Sequence, residues 1–271
     1  MGPLNDQKGY DRPIEIAEKI YWVGFHEKLS NFHCNPYLIV EGDKAVLIDA
    51  GSRPDFAVVM MKILQTGIAP EQIAALIYHH IDPDLCGSMS NMVDISNNPG
   101  LIVLSDPDNN IFLSYYIERE KCALLQSIDK YGLVFNFGER TLQFFKTPFA
   151  HSTGSFVTYD TKTKTLFSSD LFGSLSRQWE LFVELDDDCY VCEDYGHCIM
   201  KKGYCPLPDI FEFHKKVMPS EKALRYAMGV IRNLDIEIIA PQHGSIFNKK
   251  KDIDFLIEKL GALKGVGIDS F

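Results

Sequence analysis

Three side chains that commonly bind metal ions occur within five residues of this sequence. His80, Asp82 and Asp84 lie at positions i, i+2 and i+4, directly after the apolar run 74–78. In an extended segment, side chains two residues apart point to the same side, so this spacing directs all three toward one point. Such a mixture of nitrogen and oxygen donors suits iron or manganese better than a structural zinc, which usually collects thiolates and imidazoles.

Three further potential ligands each follow an apolar run and lie near a glycine: His151, Asp170 and His243. Each has an ordinary explanation on its own, because a lone histidine is often a partly buried core residue and an aspartate often caps a helix. Their order behind the 80–84 motif is much more specific than any one of them, and it predicts a single metal centre built at strand ends.

Hydrophobic periodicity and turn residues predict alternating strands and helices in two halves. The predicted strands are 20–24, 35–40, 44–49, 74–78, 101–104, 140–146, 155–160, 165–170 and 236–240, and the predicted helices are 55–66, 85–95, 108–126, 220–234 and 252–264. We therefore expect an α/β fold in which two sheets pack face to face with helices outside.

Composition narrows the choice of partners and compartment. The chain has 271 residues, 46% of them hydrophobic, which is compatible with one domain over 1–271. The net charge of −10 and the lack of a basic patch argue against nucleic acid as a partner. The polar start and the absence of a long apolar run predict no signal peptide and no membrane span, hence a cytoplasmic protein with reduced thiols.

Four of the seven cysteines are clustered in an acidic stretch that we interpret as an insert at about 186–208: Cys189, Cys192, Cys198 and Cys205. Pro206 and Pro208 favour a loop there. The cluster has only one Cys-x2-Cys pair, so two interpretations remain open. One is a zinc or iron site, with His197 as an alternative ligand. The other is a set of reduced or redox-sensitive thiols. The insert itself is a candidate lid or partner-docking element.

In combination, these motifs resemble the metallo-β-lactamase superfamily, and within it the iron domain of flavodiiron proteins. The segment 47–51 (Leu-Ile-Asp-Ala-Gly) resembles the first-strand signature, and 80–84 the metal motif. Asp82 supplies a carboxylate where zinc hydrolases use histidine, although the family more often has glutamate. The segments 167–173 and 240–244 resemble those of the bridging aspartate and the last histidine.

The resemblance implies an αββα sandwich of two mixed sheets and a centre of two iron ions. One iron would take His80, Asp82 and His151. The other would take Asp84 and His243. Asp170 would bridge them. Oxygen donors of this kind help to stabilise ferric iron.

The chain departs from the family pattern at Leu85, where flavodiiron proteins usually have histidine. His79 precedes the motif, and alternation aims it to the opposite face. His33 is a candidate for a supporting hydrogen bond or a turn histidine. The sequence also shows no segment for a flavodoxin-like domain, so we expect no FMN domain.

The resemblance implies an oxygen-binding di-iron protein that forms a ferric-peroxo type adduct and acts as an oxygen or redox sensor in bacterial signalling such as chemotaxis. Its ligand would be O2, NO or peroxide, its partner a chemotaxis component, and a homodimer is expected. Three alternatives remain: an O2 or NO reductase, that is, a slow oxidoreductase with an external donor; a zinc-dependent hydrolase; and an interaction domain with a decayed site.

Overall fold

The computed structural model describes residues 9–26, 33–176, 178–192 and 205–271. The strands are β1 (Ile14–Ala17), β2 (Ile20–Trp22), β3 (Phe25–His26), β4 (His33–Cys34), β5 (Tyr37–Glu41), β6 (Lys44–Ile48), β7 (Ile73–Ile77), β8 (Ile102–Ser105), β9 (Leu125–Ser127), β10 (Val134–Phe137), β11 (Arg140–Lys146), β12 (Phe156–Asp160), β13 (Thr165–Phe167) and β14 (Ile238–Ala240). The helices are α1 (Phe56–Gln65), α2 (Pro83–Cys86), α3 (Met89–Ser96), α4 (Pro107–Leu113), α5 (Asp187–Tyr190), α6 (Leu207–Val217), α7 (Glu221–Ile231) and α8 (Lys250–Gly261).

Two mixed sheets form the centre of the fold. The first has the order β1-β2-β5-β6-β7-β8-β9, antiparallel as far as β6 and parallel from β6 to β9. The second has the order β10-β11-β12-β13-β14 and is antiparallel except for the parallel pair β13 and β14. The carboxyl ends of β7, β13 and β14 lead into the segments that carry the candidate ligands.

Each sheet buries both of its faces, as alternation along β6 shows. Val46 and Ile48 pack in the cluster between the two sheets, whereas Ala45 and Leu47 pack in the cluster under α1, α3 and α4. On the far side of the second sheet, Val157 and Ile239 pack against α6, α7 and α8. The predicted αββα sandwich is confirmed.

Two predicted segments differ from the structure. The helix expected over 108–126 ends at Leu113, and residues 125–127 form β9 at the edge of the first sheet. Pairing with β8 decides the conformation there, which local periodicity does not reveal. Helix α6 was not predicted, because Pro206 and Pro208 were interpreted as loop residues. Proline is well tolerated in the first turn of a helix, and Pro208 occupies that turn.

None of the helices in the described ranges is both long enough and apolar enough to cross a membrane.

A buried arginine ties the two sheets together. Arg140 begins β11 and is fully buried. Its Nε lies 3.0 Å from Glu41 Oε2 in the first sheet, and its Nη1 lies 2.8 Å from Asp160 Oδ2 in the second. Its Nη2 also donates to the carbonyl of Glu18. Asp160 is fully buried as well, and Thr163 donates to the same carboxylate oxygen.

We predict that Arg140→Leu lowers the free energy of unfolding by about 3–5 kcal/mol, because the substitution leaves Asp160 as a buried charge without its cation. Urea denaturation followed by circular dichroism measures the change. Lys162→Ala is the control. Its amine pairs with Glu18 and Glu41 at the surface, so its loss should cost no more than about 1 kcal/mol. Equal losses in the two variants would contradict the prediction.

Candidate metal centre

The 80–84 motif turns from the end of a strand into a helix rather than continuing as an extended segment. His80 follows β7, Asp82 is the N-cap of α2 with an extended backbone, and Pro83 is the first helical residue. Asp84 therefore lies in the first turn of α2. The expectation that simple alternation would aim all three side chains is wrong for Asp84, because the Asp-Pro pair starts a helix at that point.

The other three candidate ligands come from loops at strand ends. His151 lies between β11 and β12, Asp170 follows β13, and His243 follows β14. The structure brings these residues together with the 80–84 motif at one edge of the two sheets. Three of the six side chains, those of His80, Asp170 and His243, are almost completely buried, and those of Asp84 and His151 are mostly buried. Asp82 is 42% exposed and forms the solvent side of the centre.

One group of donor atoms gathers around Oδ2 of Asp170. His151 Nε2 lies 2.9 Å from this oxygen and His80 Nε2 lies 3.8 Å from it. Asp82 closes the group, since its Oδ2 is 3.5 Å from His151 Nε2 and 3.8 Å from His80 Nε2. These are the four residues of the first predicted ligand set.

A second group lies on the other oxygen of the same carboxylate. His243 Nε2 is 3.7 Å from Asp170 Oδ1 and 3.1 Å from Asp84 Oδ2. Oδ2 of Asp170 thus faces the imidazoles of His80 and His151, whereas Oδ1 faces the imidazole of His243. This is the arrangement that a carboxylate needs to bridge two positive ions.

Two of these atoms have unmet hydrogen-bonding capacity. His80 Nε2 and Asp170 Oδ1 are buried, and neither has a hydrogen-bond partner among the described residues. A buried polar atom without a partner costs about 1–3 kcal/mol, and native proteins rarely keep one without a reason. Metal ions on the two sides of Asp170 would satisfy both atoms, so the donor set fits a pair of ions that prefer nitrogen and oxygen.

The ionisation of the centre is set by competition between burial and opposite charge. Burial alone would raise the pKa of Asp170, but His80, His151 and His243 together hold it well below its usual range. Burial alone would likewise lower the pKa values of His151 and His243. The hydrogen bond with Asp170 instead raises the pKa of His151, and the hydrogen bond with Asp84 raises that of His243. Opposite charges therefore favour the ionised forms of these buried groups against the effect of burial.

Hydrogen bonds on the far side of the imidazole rings orient two of the ligands. His243 Nδ1 donates to the carbonyl oxygen of His33 at 2.7 Å, so Nε2 is the ring nitrogen that faces Asp84 and Asp170. His80 Nδ1 lies 2.9 Å from the hydroxyl of Ser169. Such outer partners fix the tautomer and the ring direction of metal-binding histidines.

The imidazole rings of His33 and His79 contact residues outside the two groups of donor atoms. The ring of His33 stacks on Trp179 and its Nε2 lies 3.1 Å from the carbonyl of Ser176, so its contribution to the centre is its backbone oxygen. His79 faces away from the centre. Its Nδ1 is 2.5 Å from Asp49 Oδ2, and its Nε2 is 2.9 Å from Thr158 Oγ1 in the second sheet.

The turn that carries Asp170 is fixed by a histidine that sequence analysis missed. The backbone N–H of Phe172 donates to His214 Nε2 at 3.0 Å, and His214 Nδ1 donates to the carbonyl of Ile210 at 2.7 Å. Burial lowers the pKa of His214 to about 4, so this ring stays neutral and keeps its acceptor. Ser169 and Phe172 adopt positive φ angles of 54° and 66° on either side of Asp170. Such angles require support of this kind.

Asn35 is a second supporting residue that the sequence did not reveal. Its side-chain amide donates to the carbonyls of Pro241 and Gly244 at 3.0 and 2.9 Å, and its Oδ1 accepts from Trp22 Nε1. Its backbone N–H donates to the carbonyl of Gln242. These bonds hold the loop that carries the last histidine. A buried asparagine in a loop gives no signal in a single sequence.

Leu85 is fully buried in α2, between Asp84 and Cys86. An aliphatic side chain occupies the position for which the resemblance predicts histidine.

The cysteine-rich segment is described only in part. Cys189 lies in α5, and both Cys189 and Cys205 pack against the cluster under α6, α7 and α8. His197 and Cys198 lie outside the described residues. Within the described ranges, the groups of three potential metal-binding side chains lie at the centre built around Asp170 and do not include Cys189, Cys192 or Cys205. Zinc binding by the cysteine cluster therefore stays a prediction without structural support.

Comparison with curated relatives gives two informative matches. An uncharacterised protein of Methanocaldococcus jannaschii, MJ0732, is 30% identical over 91% of this chain and 59% of its own length. A nitric oxide reductase of Moorella thermoacetica is 26% identical over 88% of this chain and 58% of its own length. The chain thus spans between half and three-fifths of the length of these relatives.

Two solved structures share the fold. The flavodiiron protein of Giardia intestinalis superposes with a TM-score of 0.76 at 19% identity, over 92% of this chain and 59% of that one. A chemotaxis sensor called ODP, solved as a peroxy diiron species, superposes with a TM-score of 0.74 at 24% identity, over 95% of this chain and 97% of that one.

A family model described as ODP family beta lactamase matches residues 32–244, which contain all six candidate ligands. By this match the chain belongs to the ODP family of metallo-β-lactamase-fold proteins, a family with the fold of the flavodiiron core.

Proposed function

We propose that this protein is a di-iron oxygen-binding protein that holds a peroxo-type adduct and acts as an oxygen or redox sensor. The observation that carries the proposal is the position of Asp170, whose two carboxylate oxygens face separate groups of donors, His80 and His151 on one side and His243 on the other. Bound iron would supply the electrons and the oxygen-binding position. The residues of the chain would hold the ions, restrict water and control protons.

The carboxylate content of the centre favours iron over a hydrolytic zinc. Asp82, Asp84 and Asp170 provide three carboxylates, and oxygen donors support ferric iron. Asp82 occupies the position that a zinc hydrolase gives to histidine. The names of the relatives also support oxygen-related chemistry, since they include a chemotaxis sensor with a peroxy diiron species and a nitric oxide reductase. A decayed site is disfavoured because all six donors converge.

The surroundings of the centre favour storage of an adduct over rapid turnover. His80, Asp170 and His243 are buried, and Leu85 adds a fully buried aliphatic side chain next to Asp84. Proton delivery to bound oxygen needs a donor within hydrogen-bond reach or a water chain. An aliphatic side chain supplies neither. Asp82, on the solvent side, is the one carboxylate of the set that is well placed to exchange protons with water.

The second candidate function is an O2 or NO reductase that uses an external electron donor. It is favoured by the Moorella relative, whose name states nitric oxide reduction. Under the sensor proposal, the oxidised state is instead reported to a signalling partner such as a chemotaxis component. The acidic segment 186–192 is the surface that we propose for that contact. A homodimer stays a prediction.

We predict that anaerobic loading with ferrous iron gives two irons per chain, and that Asp170→Ala causes the largest loss of iron among single ligand variants. The bridge serves both ions, and without it their charges face each other unscreened. Iron analysis after desalting measures this. Asp252→Asn is the control, because Asp252 is a fully buried carboxylate that binds Tyr190 and the backbone of Leu185. Wild-type iron affinity in Asp170→Ala would refute the site assignment.

We predict that Leu85→His shortens the lifetime of the oxygen adduct, because an imidazole adds a donor and a proton carrier where an aliphatic side chain now lies. Stopped-flow mixing of the diferrous protein with oxygen, followed by visible absorption, measures the decay. Leu85→Met keeps the volume without adding a titratable group and should decay like the wild type. If the adduct of the wild type decays as fast as that of Leu85→His, the lack of a proton donor at residue 85 does not control the lifetime of the adduct.

We predict that the chain by itself does not sustain oxygen or nitric oxide reduction, and that its turnover stays slow when NADH and a generic reductase supply electrons, because the buried, aliphatic surroundings of the centre hinder proton delivery. Reduction of oxygen to water needs four electrons, and two ferrous ions supply two, so the chain needs an external reductant to complete the reaction. Oxygen consumption in an electrode cell measures turnover. Rates of about 10 per second, ordinary for enzymes, would identify a reductase and refute the sensor proposal.

A further inference from the structure

A thiol lies beside the second group of donor atoms. The Sγ of Cys34, a carboxylate oxygen of Asp84 and a ring nitrogen of His243 all lie within 4.8 Å of one another. Cys34 is fully buried, and Asp170 Oδ1, which has no partner among the described residues, lies 3.7 Å from the same imidazole. A thiol, a carboxylate and an imidazole therefore lie close together beside Asp170 Oδ1, a buried oxygen that a cation would satisfy.

The position of Cys34 is fixed by hydrogen bonds on both sides of it. The carbonyl of His33 accepts from His243 Nδ1, and the backbone N–H of Asn35 donates to the carbonyl of Gln242 at 2.9 Å. The side-chain amide of Asn35 then holds the carbonyl of Gly244. Residues 33–35 thus run along the loop that carries His243, and the thiol is held toward that imidazole by the backbone itself.

Cys86, a second buried cysteine near the centre, has the surroundings expected of a thiol with a structural role. Cys86 belongs to the apolar cluster under α1, α3 and α4, and its Sγ donates to the carbonyls of Ile81 and Asp82. Cys34 belongs to none of the three apolar clusters formed by the described residues. It is placed among charged donor groups instead, which packing alone does not explain.

The two groups of donors also differ in number. Around Asp170 Oδ2 there are three further donors, His80, His151 and Asp82, whereas around Oδ1 there are two, Asp84 and His243. The family pattern places an additional imidazole at residue 85, which here is leucine. We propose that Cys34 binds the second metal ion as a thiolate and supplies this missing donor. This inference rests on the proposed di-iron centre and defines its second position.

Binding at this position converts the Cys34 thiol to a thiolate. As the metal–sulfur bond forms, the S–H proton passes to the buffer, and no electron is transferred. The two metal positions then differ in chemistry: the first is bound by nitrogen and oxygen only, and the second by nitrogen, oxygen and sulfur. Thiolate donors favour softer ions, so zinc should compete with iron at the second position more effectively than at the first.

X-ray absorption at the iron edge tests the inference on the wild-type chain loaded anaerobically with two equivalents of ferrous iron. We expect one sulfur neighbour for every two irons at about 2.3 Å, the length of a zinc–thiolate bond. Cys34→Ser should remove the sulfur signal. It should also weaken binding of the second iron by more than the roughly 10- to 100-fold that loss of an outer hydrogen-bond partner costs, while the first iron remains.

Two further variants make the result specific. Cys86→Ser should keep the sulfur signal and both irons, because Cys86 donates to backbone carbonyls. The double variant Cys34→Ala, Leu85→His should regain the second iron without a sulfur neighbour, because an imidazole then takes the place of the thiolate. The test stays informative even if Cys34→Ser folds poorly, because the sulfur signal is first measured on the wild-type chain.

The outcomes separate this inference from the function on which it rests. Two bound irons without a sulfur neighbour in the wild type would overturn the role of Cys34 and leave the di-iron proposal intact. A sulfur signal that persists in Cys34→Ser would assign the sulfur to another residue and would also overturn it. Failure of the wild type to bind iron would overturn both proposals.

Discussion

The carboxylate of Asp170 lies between three imidazoles, and the rest of the structure holds it there. It is buried, and it stays ionised because His80, His151 and His243 surround it. Its backbone turn has residues with left-handed φ angles on both sides, and His214 supports the turn by accepting a hydrogen bond from the backbone N–H of Phe172. A turn with these constraints is costly on its own. Its persistence means that the packing of α6, which carries His214, is coupled to the geometry of the metal centre.

The same centre depends on contacts between the two sheets. Asp49 at the end of β6 holds His79, which reaches Thr158 in β12, so a buried polar chain crosses the sandwich beside the ligands. Asn35, in the segment that leads into β5 of the first sheet, holds the loop after β14. Buried polar groups of this kind are expensive unless every member is satisfied. The metal centre is therefore built on a network that fixes the relative position of the sheets, with Arg140 as a second connection between them.

Local sequence was sufficient to predict the sandwich and to find residues that the fold brings together. The reason is that Asp170 and His243 directly follow buried strands, and a strand end is visible in a single sequence. The helical start at Pro83 and the helix α6 were missed because proline favours both loops and first helical turns. Asn35, His214 and Cys34 were missed for another reason. Their partners lie far away in the chain, as the sequence separation of 209 between Asn35 and Gly244 illustrates, and no local pattern encodes such contacts.

The charge of the centre gives an independent reason to expect a fourth anionic donor. Asp82, Asp84 and Asp170 offset three of the four positive charges of two divalent ions, while the neutral histidines offset none. A buried excess charge is unfavourable unless it is paired. A thiolate at Cys34 makes the reduced centre neutral, with the added negative charge on the side of Asp84 and His243. Forming the proposed adduct would move two electrons from the ions onto bound oxygen, so the total charge of the site would stay the same while its distribution changed. This redistribution of charge in a largely buried site is the physical signal that the surrounding loops and helices would have to transmit.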